Sequence, residues 1–340
     1  MRKFLICVLM VLALVAFSGV AMAQDPLCGS LSASDCEILT QSAAAQTGLT
    51  SATFTFTLDI NAGGQAIPLT GDGSYAIDPA ALAALDPAVL SNMTDPTAIF
   101  GILGDLLKGF DGELNVNAMG LPINLLLIDG IGYINFEPFA PMLAGAPVEI
   151  PAGWAGLDLV GAIEMFAPML GSMELPDMQT QVDPNAQAAI MEAVSKYVTI
   201  SRAADENGQA VFVTTVDFTG LFQDEAFLGF VMEQAAAQGQ ELTEDMMAQV
   251  GPMLQGVAGS FTFSATQKID LSTFYATSIG FEFSLDGAAL TAITGETVGS
   301  VSVAGAFNFA DQNAAPALSA PAGAPVATVM DLMGLMGGGF

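Results

Sequence analysis

The side chains with chemistry to offer are few in kind. Thirty-five carboxylates stand against six basic residues, and the chain has no histidine. Without an imidazole, Ser-His-Asp triads, most transition-metal sites and the usual proton shuttle drop out. No G-x-S-x-G elbow, Walker A loop or G-x-G-x-x-G fingerprint occurs. The segment TGDGS (70–74) follows a strand-like run but opens no helix, so it reads as turn chemistry. Two carboxylates from anywhere in a chain can meet as a glycosidase pair, yet nothing marks a specific pair here. No DxDxDG-type loop is present for calcium. The expectation is a protein that is not an enzyme and needs neither cofactor nor metal.

Sulfur is the other reactive element. Of 18 methionines, Met165, Met169, Met173 and Met178 fall near one helical run, and Met246, Met247 and Met253 fall on another. Met330, Met333 and Met336 lie near the C-terminus. Thioethers can hold copper, but apolar packing is the ordinary use of methionine. Between the two lies a flexible, polarisable surface that accepts varied apolar ligands. Cys28 and Cys36, in CGSLSASDC, suit a small disulfide loop that pins the N-terminal segment; two free thiols are the alternative. Asn92-Met93-Thr94 fits the N-glycosylation pattern, a tripeptide that also arises by chance.

Compartment follows from the first residues. MRKFLICVLMVLALVAFSGVAMAQ has a basic start, an apolar run and Ala21-Met22-Ala23 before Gln24. This is the pattern of a secretory signal peptide, residues 1–23, cleaved after Ala23; an uncleaved anchor is the alternative. Cys7 would leave with it. Cys28 follows Asp25-Pro26-Leu27, which is not a lipoprotein box. The expected location is therefore secreted or cell envelope. Losing Arg2 and Lys3 leaves four basic residues against 35 acidic ones and takes the net charge from −29 to −31. Nucleic acid is excluded as a partner, because phosphate neutralisation needs a basic patch. Yet 52% of residues are hydrophobic and 12% charged, so this is no acidic disordered tail. The acidity serves solubility.

The elements that must position any site alternate in blocks. Residues 33–47 predict a helix, with Asp35 as the cap and Gly48 as the stop. SATFTFTLDI then alternates Phe54, Phe56, Leu58 and Ile60 with Thr and Asp, which is the period of a half-buried antiparallel strand. AGG (62–64) turns it and IPLTGDGSYAI (67–77) returns. Asp-Pro pairs open two helical runs, the second being TDPTAIFGILGDLLKGF. GELNVNAMG, LPINLLLIDG and IGYINFEPF read as strands, with Asp129-Gly130 as a hairpin turn. LDLVGAIEMFAPML and AQAAIMEAVSK read as helices, and YVTISRAA with QAVFVTTVDF as a strand pair around DENG (205–208). LFQDEAFLGFVMEQAAAQ and ELTEDMMAQVGPMLQG are helical, and a three-strand meander closes the chain. Contiguous strands joined by tight turns imply an antiparallel sheet with helices on one face, an α+β fold without βαβ units.

The final strand running into FNFADQNAAPALSAPAGA (307–324) resembles the ending of the LppX/LprAFG lipoprotein family. GWAGLDL (153–159), after Gly132-Tyr133-Ile134, is similar to that family's tryptophan segment, and GLTSATFTFTLDI is similar to its opening strand. The resemblance implies the LolA/LppX-like architecture: a strongly curved antiparallel β-sheet, or half-barrel, wrapping apolar α-helices around a cavity for acyl chains. The missing lipobox cysteine, the longer helical insertions and the scarcity of basic residues depart from the family. One such domain is expected over 24–325, with 326–340 an apolar tail or short helix.

These readings lead to an exported binding protein that carries or senses lipids or other hydrophobic molecules. A cell-envelope protein is a further candidate partner. The groove candidates, chosen by helix position, are Phe100, Leu103, Leu106, Met165, Phe166, Met169, Phe227, Phe230, Met246, Met247 and Met253. Trp154 is expected as a core anchor near the rim. The alternative is a cell-surface structural or interaction protein with a filled core and an acidic binding face.

Overall fold

The structure is a computed structural model that describes residues 28–29, 31–83, 96–143, 151–171, 194–229, 256, 258–294, 297 and 299–331. The expected signal peptide, the tripeptide Asn92-Met93-Thr94 and the run ELTEDMMAQVGPMLQG expected as helical lie outside the described residues, apart from Gly256. In chain order the elements are Ala33–Thr47 (α1), Ser51–Ala62 (β1), Gln65–Ile77 (β2), Pro79–Ala83 (α2), Pro96–Lys108 (α3), Phe110–Ala118 (β3), Leu121–Ile128 (β4), Ile131–Asn135 (β5), Ala140–Leu143 (α4), Trp154–Asp158 (β6) and Leu159–Gly171 (α5). They continue with Val198–Arg202 (β7), Gln209–Val216 (β8), Phe218–Leu221 (α6), Phe261–Asp270 (β9), Ala276–Leu285 (β10), Gly287–Thr294 (α7), Val301–Ala310 (β11) and Val326–Ala327 (β12).

The twelve strands make one open sheet in the order β12-β6-β5-β4-β3-β2-β1-β11-β10-β9-β8-β7. Two meanders, β1 to β6 and β7 to β11, are stitched where β1 pairs antiparallel with β11, Phe56 opposite Phe307. Every neighbouring pair is antiparallel except the parallel pair β12–β6. The α+β class is thus borne out, with the sheet mixed at one edge. Short loops set the register. Asp129-Gly130 has both φ angles positive, as does Asn207-Gly208, which suits two-residue hairpin turns that follow the strand twist.

Residues opposed across an antiparallel pair point to the same face. One face collects Phe54, Phe56, Leu58, Phe307 and Phe281, and the other collects Thr53, Thr55, Thr57, Asn308 and Glu282. The TGDGS segment is not a turn. It lies in the middle of β2, and Gly71 and Gly73 stand opposite Phe56 and Phe54. A Cβ on Gly71 would come within 2.5 Å of the Phe56 ring, and one on Gly73 within 2.6 Å of the Phe54 ring. The glycines make room for phenyl rings lying across the strand, the cross-strand shielding known as aromatic rescue.

Three further local readings are corrected. The cap of α1 is Ser32, whose hydroxyl accepts from the Asp35 amide; Asp35 is the third helical residue and receives the Ser32 Oγ–H at 2.7 Å. The pairing differs from a capping box in that the Asp35 carboxylate meets the cap hydroxyl and not the cap amide. Residues 154–158 are a strand, and the helix begins only at Leu159, where the Asp158 carboxylate accepts from the Gly161 amide at 2.8 Å. The short helix α7 between β10 and β11 has no counterpart in the sequence reading.

Candidate functional site

The apolar face is covered unevenly. Over β7, β8 and β9 it is sealed by α1: Leu39 packs on Ala210, Phe212 and Ile269. Phe212 keeps 2% of its surface exposed and Ile269 none. The Arg202 guanidinium lies over the Phe212 ring, 5.0 Å from its centre, and pairs with Asp35 of α1 at 3.2 Å and with Asp205. The Cys28–Cys36 disulfide ties the entry to the same helix, which settles the thiol alternative.

Over β1 to β6 the same face holds a cavity of about 720 Å³. Phe54, Tyr75, Phe110, Leu114, Leu125 and Ile134 supply its wall, one or two from each of β1 to β5, and Leu157 of β6 and Leu159 at the start of α5 line it too. Leu125 is 36% exposed although its neighbours are aliphatic. The Tyr75 and Phe110 rings stack with centres 6.2 Å apart. Burial pushes the Tyr75 phenol above its ordinary value, so it stays neutral. Glu113 reaches the wall through its backbone stretch, while its carboxylate accepts from Asn115 in the polar network of the opposite face. That network also includes Asp72 and Asn124. The cavity size falls inside the range of about 300–1,000 Å³ seen for small-molecule sites.

The polar face carries its own feature, a trough of about 460 Å³ floored by Gly280, Ala304 and Ala306. Asp59 and Glu282 flank Ala304 in one cross-strand row. Among the described residues no three His, Cys, Asp or Glu side chains are grouped to hold a metal ion. Among them, too, no helix is long and apolar enough to cross a membrane.

The helical groove candidates are dispersed. Phe100, Leu103 and Leu106 ride on α3, where Leu103 is 40% exposed. Met165 is half-buried on α5 beside the 37%-exposed Phe166. Met169 also belongs to α5. Helices α3 and α5 pack against each other. Phe227 is 2% exposed and stacks edge-on against Phe222. Phe230, Met246, Met247 and Met253 lie outside the described residues. The cavity wall comes from strand residues that the sequence reading did not single out. Their signal was present all the same, in the alternation of Phe54-x-Phe56 and in NLLLI, where Leu125 and Leu127 face the cavity.

Trp154 anchors elsewhere. With Leu126, Ile128, Ile131 and Tyr133 it forms a patch on the opposite face, packed by Leu318 and Ala324 of the C-terminal segment. This segment leaves β11 through a latch. Asn313 Oδ1 accepts from the Thr50 amide (2.7 Å) and its hydroxyl (3.0 Å), and Asn313 Nδ2 donates to the Gly48 carbonyl and the Tyr275 hydroxyl. Asp311 accepts from Thr53 Oγ1 at 2.9 Å. The FADQN ending therefore joins the start of β1 to the β9–β10 turn, then crosses the sheet as a strap and pairs with β6.

No known protein family matches the chain, and no curated protein does. Among solved structures the chain is similar to a DUF1329 family protein from Desulfovibrio piger at 9% sequence identity. The alignment covers 87% of this chain and 96% of that one, with a TM-score of 0.20, too low to argue from.

Proposed function

We propose that the chain is an exported, non-enzymatic carrier or sensor of lipids or other hydrophobic molecules, built as a LolA/LppX-like half-barrel. The observation that carries the reading is the aliphatic and aromatic cavity of about 720 Å³ between the β1–β6 sheet and α5. Burying apolar surface gives about 25 cal/mol per Å², so an acyl chain can be held there without any charged contact. The rival reading, a filled core, draws its support from the β7–β9 end. The N-terminal pattern and the LppX/LprAFG resemblance support an extracytoplasmic setting.

A second reading rests on the polar face. Its trough, with Asp59 and Glu282 at the edge, suits a basic partner of a cell-surface interaction protein. Native mass spectrometry of the protein purified from its source, followed by organic extraction, separates the two. A stoichiometric acyl-bearing species supports the carrier reading. A clean apo mass, together with no uptake of a fluorescent lipid, sinks it and leaves the surface-interaction reading ahead.

A further inference from the structure

Resting on the groove reading above, we infer that the site takes a lipid whose head is uncharged and that it discriminates against fatty-acid and phospholipid anions. The whole chain holds six basic residues, and two of these are Arg2 and Lys3. Each of the other four is engaged by a carboxylate: Lys108 with Glu164 (3.5 Å), Lys196 with Asp224 (3.7 Å), Arg202 with Asp35 (3.2 Å) and Lys268 with Glu206 (2.6 Å). None of the four lines the cavity. With no histidine in the sequence, mild acid adds no cation either. The chain thus has no uncommitted positive side chain to meet an anionic head beyond its first three residues.

Acids beside the Phe110 and Leu159 end of the cavity add repulsion. Phe110 and Leu159 are each followed or preceded by a carboxylate, Asp111 and Asp158. Asp111 accepts from the Asp129 amide at 3.2 Å, which brings a third acid to the same turn, and Asp78 joins the same end, its amide N–H donating to the Gly109 carbonyl. Lys108 is the cation at this end, and its ammonium is turned to Glu164. With a net charge of −29 the chain repels a negative head over a range of about 10 Å at 0.1 M salt and about 30 Å at 0.01 M. A neutral head meets the phenol of Tyr75 and the backbone.

The test uses the purified full-length secreted protein with Nile red as reporter, titrated with monoolein and with oleate at a pH where oleate is ionised. The two share one acyl chain, so the head alone differs. Monoolein should displace the dye at least about tenfold more tightly than oleate near 0.01 M salt, and the gap should shrink toward 1 M, where screening is complete within about 3 Å. Glu164→Gln, an exposed change, frees Lys108 and should raise oleate affinity several-fold while leaving monoolein unchanged. Oleate binding as tightly as monoolein at both salts would overturn the charge selection and leave the groove reading standing. An oleate affinity unmoved in Glu164→Gln would assign the preference to something other than charge and overturn it too. No binding of Nile red or of either lipid would remove the groove reading itself, and the selection with it.

Discussion

The two ends of one apolar sheet face are built from the same alternation and finish differently. At β7–β9, helix α1 drives Leu39 onto Phe212 and Ile269 and leaves almost nothing exposed. At β1–β6, Phe54, Leu114, Leu125 and Ile134 present an equally apolar surface, yet they wall a cavity. The difference is in what lies on top. Helix α1 enters from a disulfide loop and is held by the Asp35–Arg202 pair, so it sits flat on the sheet. Helices α3 and α5 pack against each other instead, and α5 meets the sheet at its first turn, where Gly130 and Gly132 leave room for Val160 and Leu159. A strand pattern announces an apolar face; the helix that lands on it determines whether that face is core or pocket.

Substitutions can break this contrast. Phe212→Ala at the sealed end should cost about 3–5 kcal/mol, the range for removing a buried aromatic, read as a lowered denaturation midpoint. Leu125→Ala at the open end should cost about 1 kcal/mol or less, since the side chain is part-exposed, but it should weaken retention of a bound fluorescent lipid. Equal destabilisation at the two positions would dissolve the comparison. Replacing both Cys28 and Cys36 by Ser should remove about 2–3 kcal/mol, the loop-closure value for a short loop, and should loosen α1 before the β1–β6 half, as seen by amide hydrogen exchange. Asn313→Ala removes the side-chain acceptor of the Thr50 amide and should cost about 0.5–1.5 kcal/mol, with faster exchange at the start of β1.

The smallest expected effect is in pH. The Ser272 hydroxyl, with the Ser272 and Thr273 amides, holds the Asp270 carboxyl below the usual carboxylate range. The unfolded chain therefore binds a proton at Asp270 before the folded one does. Its contribution is present above about pH 4 and is lost as pH falls through the lower folded value. Asp270→Asn should flatten that part of the acid-unfolding curve at the β9–β10 turn, and an unchanged curve would remove Asp270 from the account. Asp224 follows the same sign. Burial raises it, but the Phe227 and Ala226 amides, Lys196 and the Tyr197 hydroxyl outweigh burial and lower it.

Much of the sheet was legible. The Phe-Thr alternation of β1, the Asp-Gly hairpin and the final meander all stand where period and turn chemistry put them. Trp154–Asp158 was not legible as a strand, because five residues without alternation run straight into an apolar helix. The glycines of β2 misled for a related reason. Gly71 and Gly73 have turn composition, and their use appears only once Phe54 and Phe56 lie opposite them. The helical groove candidates were picked for apolarity on single helices, a local property. The cavity wall is assembled from six strands spread between Phe54 and Leu157, and no single segment carries its signature.

The sequence by itself determined the charge balance, the absence of imidazole chemistry, the antiparallel α+β class and the faces of the plainly alternating strands such as β1, because composition and period-two alternation are local facts. Only the tertiary structure decided that β1 joins β11, that the FADQN ending is a latch, that the strap packs on the Leu126, Ile128 and Tyr133 patch, and that one half of the apolar face is sealed while the other lines an open cavity. Those depend on contacts between residues as much as 265 positions apart, and such contacts are chosen by packing and closure of the whole chain.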